Sequence, residues 1–107
     1  MYIVTELSYR LLSVPPKIFL TNSPQSAAIQ SEFSLTCQSS GDPSPVIQWF
    51  KPNGQPILSN HAYVQSDDML KIVSANQSDI GEWTCRYCNL LGCDAQTVIV
   101  FSKGKLI

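Results

Sequence analysis

Asp79-Ile80-Gly81-Glu82-Trp83-Thr84-Cys85 is the stretch on which the reading of this chain turns. Its second half alternates, so Trp83, Cys85 and, two residues on, Tyr87 share one face of a strand over residues 81–87. Thirty-six positions before Cys85 stands Trp49, inside Val46-Ile47-Gln48-Trp49-Phe50. Twelve positions before Trp49 stands Cys37, at the end of Phe33-Ser34-Leu35-Thr36-Cys37, where Phe33, Leu35 and Cys37 share a face. Residues 69–73 and 97–101 have the same character: Leu70 and Ile72 lie on one side, and Thr97-Val98-Ile99-Val100-Phe101 is β-branched and aromatic. Pro56-Ile57-Leu58 reads as a short edge piece, and Asn53-Gly54 as a hairpin turn of type I′. The only place suited to a helical turn is residues 74–79. Short strands at this spacing predict an all-β sandwich.

The chain has 107 residues, enough for one domain. The apolar share is 44% and the charged share only 14%, a composition that folds rather than stays disordered. A net charge of −1 offers no electrostatic footprint for nucleic acid. No run of eighteen apolar residues is present, so this segment inserts in no membrane. Glu6 and Arg10 make the first residues a poor signal peptide, so an export signal is expected outside the chain. Residues 1–14 read as an extension or linker, 15–102 as the domain and 103–107 as a tail.

Four cysteines, Cys37, Cys85, Cys88 and Cys93, allow three pairings that spacing alone leaves open. With Gly41-x-Pro43-x-Pro45-x-Ile47-x-Trp49, Leu70-x-Ile72 and Asn89-Leu90-Leu91-Gly92, the order Cys37, Trp49, Cys85 resembles the intermediate (I-set) kind of the immunoglobulin superfamily over residues 15–101. The resemblance implies an immunoglobulin-like two-sheet Greek-key sandwich. Its core would hold Leu35, Trp49, Leu70, Ile72 and Trp83, and a Cys37–Cys85 bond would cross between the sheets. Two departures stand out. Trp83 replaces the usual tyrosine of the corner, which implies a corner held by packing. Ala62 replaces an arginine, which implies that Asp79 lacks its usual partner.

If Asn89-Leu90-Leu91-Gly92 is a four-residue hairpin loop, Cys88 and Cys93 face each other across its base, near bonding geometry. A zinc site or a redox motif built on Cys85 and Cys88 conflicts with strand geometry, because positions three apart point to opposite faces. No phosphate loop, H-E-x-x-H or G-x-S-x-G occurs, and the chain has a single histidine, His61, in a loop. Asp67 and Asp68 read as a solvated turn. The chain is therefore read as non-catalytic, without cofactor or metal.

The resemblance implies an extracellular or cell-surface recognition or adhesion module within a string of neighbouring domains. It would bind a protein partner, with self-association left open. Two surfaces are candidates: the tip, with Leu90 and Leu91, and a sheet face, where Phe50 and Arg86 point outward. Asn76-Gln77-Ser78 fits the N-glycosylation acceptor, with Asn76 as the site. The alternative is a structural spacer in an intracellular filament, like those of giant muscle proteins, with its cysteines reduced.

Overall fold

A computed structural model describes residues 13–104. Eight strands occupy them: β1 (Val14–Thr21), β2 (Gln25–Ala27), β3 (Phe33–Asp42), β4 (Val46–Phe50), β5 (Tyr63–Ser66), β6 (Met69–Ile72), β7 (Gly81–Asn89) and β8 (Gly92–Ser102). They form two four-stranded sheets, ordered β1-β3-β6-β5 and β2-β8-β7-β4. The all-β, two-sheet sandwich is the one the resemblance implies.

The alternation places the core. Leu35, Cys37, Trp49, Leu70, Trp83, Cys85 and Val98 are fully buried, and Ile72 and Val100 nearly so. Trp49 pairs in register with Cys85, and a Cys37–Cys85 disulfide joins the two sheets. Tyr87 continues the buried face of β7, and its hydroxyl donates to the Cys37 carbonyl. Burial pushes the Tyr87 phenol up to about 12, with the nearby Asp68 carboxylate adding to the shift. Among the described residues the Trp49 indole N–H has no acceptor.

The chain changes sheets between β1 and β2. β1 runs antiparallel to β3, with irregular register, and Ile18 N–H reaches across to the Asp94 carboxylate on β8 at 2.8 Å. β2 then runs parallel to β8. Ser23 Oγ accepts from Ile99 N–H and ties the crossing down.

Several local expectations are corrected. Pro56-Ile57-Leu58 forms no strand; Pro56 makes a single bridge to Phe50, and Ile57 N–H donates to the Trp49 carbonyl. Asn53-Gly54 is not a two-residue turn. Lys51 carbonyl accepts from Gly54 N–H, Lys51 N–H donates to Gln55 carbonyl, and only Gly54 of the pair has positive φ. This is the three-residue hairpin with a glycine bulge. The helical turn of residues 74–79 narrows to a 3-10 turn over Gln77–Asp79.

The corner before β7 is held by hydrogen bonds rather than by packing alone. Trp83 Nε1 donates to the Asp79 carbonyl at 2.8 Å, inside the core. The indole needs no acceptor function there, because a donor aimed at a carbonyl is sufficient. Asp79 also has partners, from other segments than the one expected. Its buried carboxylate accepts from Tyr63 hydroxyl at 2.7 Å and Asn76 N–H at 2.8 Å, and Lys51 Nζ stands 3.7 Å away. Lys51 donates to Tyr63 as well, and that bond with the neighbouring negative groups holds the lysine above its ordinary range. Burial holds Tyr63 up.

Candidate protein-binding surface

β7 and β8 form one long ladder that ends in register with Cys88 opposite Cys93 and Asn89 opposite Gly92. The loop is therefore two residues, Leu90 and Leu91, and not the four expected. The facing of Cys88 and Cys93 is as expected, and they are bonded, with Cα atoms 4.1 Å apart. The short loop leaves the leucines nothing to fold onto: Leu90 is 76% exposed and Leu91 44%. Asn89 stiffens the base of the tip. Its side-chain oxygen accepts from Leu91 N–H, and its amide donates to the Val14 and Pro43 carbonyls at 2.8 and 3.0 Å. The first strand thus starts at the same pole as the tip.

Alternation carries the tip onto a sheet face. Trp49, Cys85 and Val98 point inward, so Val46, Gln48 and Phe50 of β4, Glu82, Thr84, Arg86 and Cys88 of β7, and Cys93, Ala95, Thr97, Ile99 and Phe101 of β8 point outward. Cys85 and Cys88 therefore lie on opposite faces. Phe50 is half-buried and Arg86 is exposed, on the same outer face as expected. Both line an open groove with Val46, Gln48, Pro56 and Cys88. Arg86 leans toward the tip disulfide, its Nε donating to Cys88 Sγ at 3.3 Å.

The two outer faces differ in chemistry. On the other sheet, Ser34, Thr36, Gln38 and Ser40 of β3 point out, with Lys71 of β6 beside them. On β8, Ile99 and Phe101 are each nearly half exposed. Sequence reading found Phe50 and Arg86 but missed Ile99 and Phe101. The signal was present: once Val98 and Val100 are inward, residues 97–101 are still apolar on their other side.

The remaining candidates are dispersed. Asn76 is exposed, at the far end of β7 from the tip, and its side-chain oxygen accepts from Ser78 N–H at 3.1 Å. His61 is exposed in the loop before β5. Asp67, at positive φ, and Asp68 form the β5–β6 turn.

The immunoglobulin domain family profile matches residues 15–89. The chain belongs to that family. ADAMTS-like protein 1 of Mus musculus is 36% identical over 72 residues, covering 66% of this chain and 4% of the relative. Vascular endothelial growth factor receptor 2 of Mus musculus is 35% identical over 82 residues, covering 75% of this chain and 6% of the relative. The chain thus spans a small fraction of these relatives. Among solved structures, an immunoglobulin domain in the crystal structure of the titin M10–obscurin-like 1 complex superposes with a TM-score of 0.78 or just below. In the P1 crystal form the TM-score is 0.77 at 24% identity, covering 88% of this chain and 99% of that one. That likeness concerns the fold.

Proposed function

We propose that this domain is a non-catalytic recognition module of the intermediate-set kind. It works outside the cell as one unit of a longer chain and binds a protein partner through its stapled tip and the adjoining sheet face. One observation carries the reading. Apolar side chains continue from Leu90 and Leu91, across the Cys88–Cys93 bond, to Phe50, Ile99 and Phe101, while the opposite sheet is faced with serine, threonine and glutamine. Aromatic and arginine side chains on a rigid sheet suit the centre of an interface. A loop closed by a disulfide loses little further freedom on binding. Two disulfides suit an oxidising compartment, and a growth-factor receptor stands among the relatives.

The test uses the domain secreted from cultured mammalian cells, tetramerised on a fluorescent carrier and applied to intact cells. Binding is expected, lost in the Leu90→Asp, Leu91→Asp double variant and weakened by Phe50→Ala. Unchanged binding by both variants, with the fold intact, would sink the reading. Asn76 is proposed as glycosylated in the same material. Treatment with an amidase that removes N-glycans should lower the mass of the wild-type protein and leave Ser78→Ala unchanged.

A further inference from the structure

The outer face of β4, β7 and β8 is not only apolar; it is self-complementary. The register sets its side chains in rows. Phe50, Thr84 and Thr97 form the middle row. On one side of it, toward the tip, lie Arg86 and Ala95, then Cys88 and Cys93. On the other side lie Glu82 and Ile99, and Phe101 beyond. Charge and size are therefore both polarised about the same row. The acid and the base sit two residues either side of Thr84, and the large side chains of β8 sit opposite in sense to the small ones about Thr97. Glu82 and Arg86 are exposed, and neither forms an ion pair among the described residues.

We propose that this face docks a second copy of the domain, the two packed face to face about a two-fold axis that crosses the strands at the row Phe50, Thr84, Thr97. The proposal rests on the reading of this face as a binding surface and names its occupant. A two-fold axis lying between the faces, perpendicular to the strands, reverses strand direction and keeps each strand over its own mate. Glu82 then meets the second copy's Arg86, and Arg86 its Glu82. Ile99 lies over Ala95, and Phe101 lies over the tip disulfide, so each large side chain meets a small one. Phe50 stacks on its symmetry mate at the centre, where aromatic pairs contribute most. Two sheets packed in this way keep their strands close to aligned. A parallel arrangement would instead set Glu82 on Glu82 and Phe101 on Phe101, so the charges select one orientation.

The area sets the strength. Three strands spanning the length of β8 from Cys93 to Phe101 present about 500 Å² per copy. That is about 1,000 Å² in total, at the low end of specific interfaces, so association is weak and reversible.

Sedimentation velocity of the glycosylated, oxidised domain from about 10 µM to about 1 mM, the range of a weak interface, tests this. A monomer–dimer equilibrium is expected. Glu82→Arg alone and Arg86→Glu alone should each weaken it by about tenfold or more, since each replaces two attractions with two repulsions. An equimolar mixture of the two variants should restore the dimer, because each acid then faces a base again. Monomers throughout for the wild type, a dimer indifferent to either reversal, or a mixture that stays monomeric each overturns the proposal. Without any variant, concentration-dependent amide shifts of the wild-type domain should fall on Thr84, Thr97 and Ile99; shifts on Ser34, Thr36 and Gln38 instead would contradict it. A monomeric wild type whose binding to cells is still lost in Phe50→Ala overturns self-association and leaves the recognition reading standing; loss of both overturns both.

Discussion

The two disulfides sit on the same strand, three residues apart at Cys85 and Cys88, and do different work. Cys37–Cys85 joins positions 48 apart in sequence and crosses from one sheet to the other, fully buried. Cys88–Cys93 joins positions 5 apart within one ladder, on the outside of the sandwich. The first closes a long loop through the core. The second closes a turn that the ladder already closes. Because a strand turns its side chains by half a revolution per residue, an odd separation sends one bond inward and the other outward. The comparison teaches that the inner bond belongs to stability and the outer bond to the shape of a surface.

That contrast can be broken in order of expected effect. Replacing Cys37 and Cys85 together by alanine should lower the unfolding free energy by about 4 kcal/mol in the chain-entropy model, a large part of a domain's whole stability. Denaturant titration followed by tryptophan fluorescence reads it. Asp79→Ala should be next, at about 2–3 kcal/mol, because it strands the Tyr63 hydroxyl, the Asn76 N–H and the Lys51 ammonium together. A loss under about 0.5 kcal/mol, the size of an ordinary surface change, would contradict the corner described above. Replacing Cys88 and Cys93 by serine should lower stability by no more than about 2 kcal/mol, the figure for a five-residue loop. Hydrogen exchange at the Asn89, Leu90 and Leu91 amides should rise while that of Leu35 and Cys85 stays slow. If the core amides speed up equally, the outer bond supports the fold as well, and the division of labour fails.

The smallest effect is at alkaline pH. Tyr87 ionises near 10 in the unfolded chain and only at about 12 in the folded one. The folded state thus holds its proton more tightly. The associated stability is fully present below pH 10 and is lost as pH rises through 12. Tyr63 and Lys51 are shifted up as well and act in the same sense. Midpoints of denaturation should be flat from neutral pH to about 10 and fall above it, with phenolate absorbance rising in step. A flat midpoint to pH 12 would contradict the burial of the Tyr87 hydroxyl.

Much of the fold was legible because the core strands alternate cleanly. Phe33, Leu35 and Cys37, then Trp83, Cys85 and Tyr87, announce their faces without reference to anything distant. What was not legible depends on partners far away in sequence. β1 carries Pro15 and Pro16 and holds an irregular register that only β3 and Asp94 explain. β5 is four residues at a sheet edge, half polar, and shows itself only by pairing with β6. Asp79 appeared unpartnered because Ala62 was the position inspected, whereas Tyr63 and Lys51 reach it from the next residue and from another hairpin. At the surface, the leucines and Phe50 could be named from their neighbours. The size gradient along β8 and its alignment with Glu82 and Arg86 needed the register of three strands at once.

The central claim is that one bond builds the core and the other shapes a binding tip outside the cell. A peptide map of the secreted protein, alkylated without reduction, tests it most directly. The account predicts two linked pairs, Cys37 with Cys85 and Cys88 with Cys93, and no free thiol. Four alkylated cysteines in freshly purified native protein would contradict it and favour an intracellular spacer.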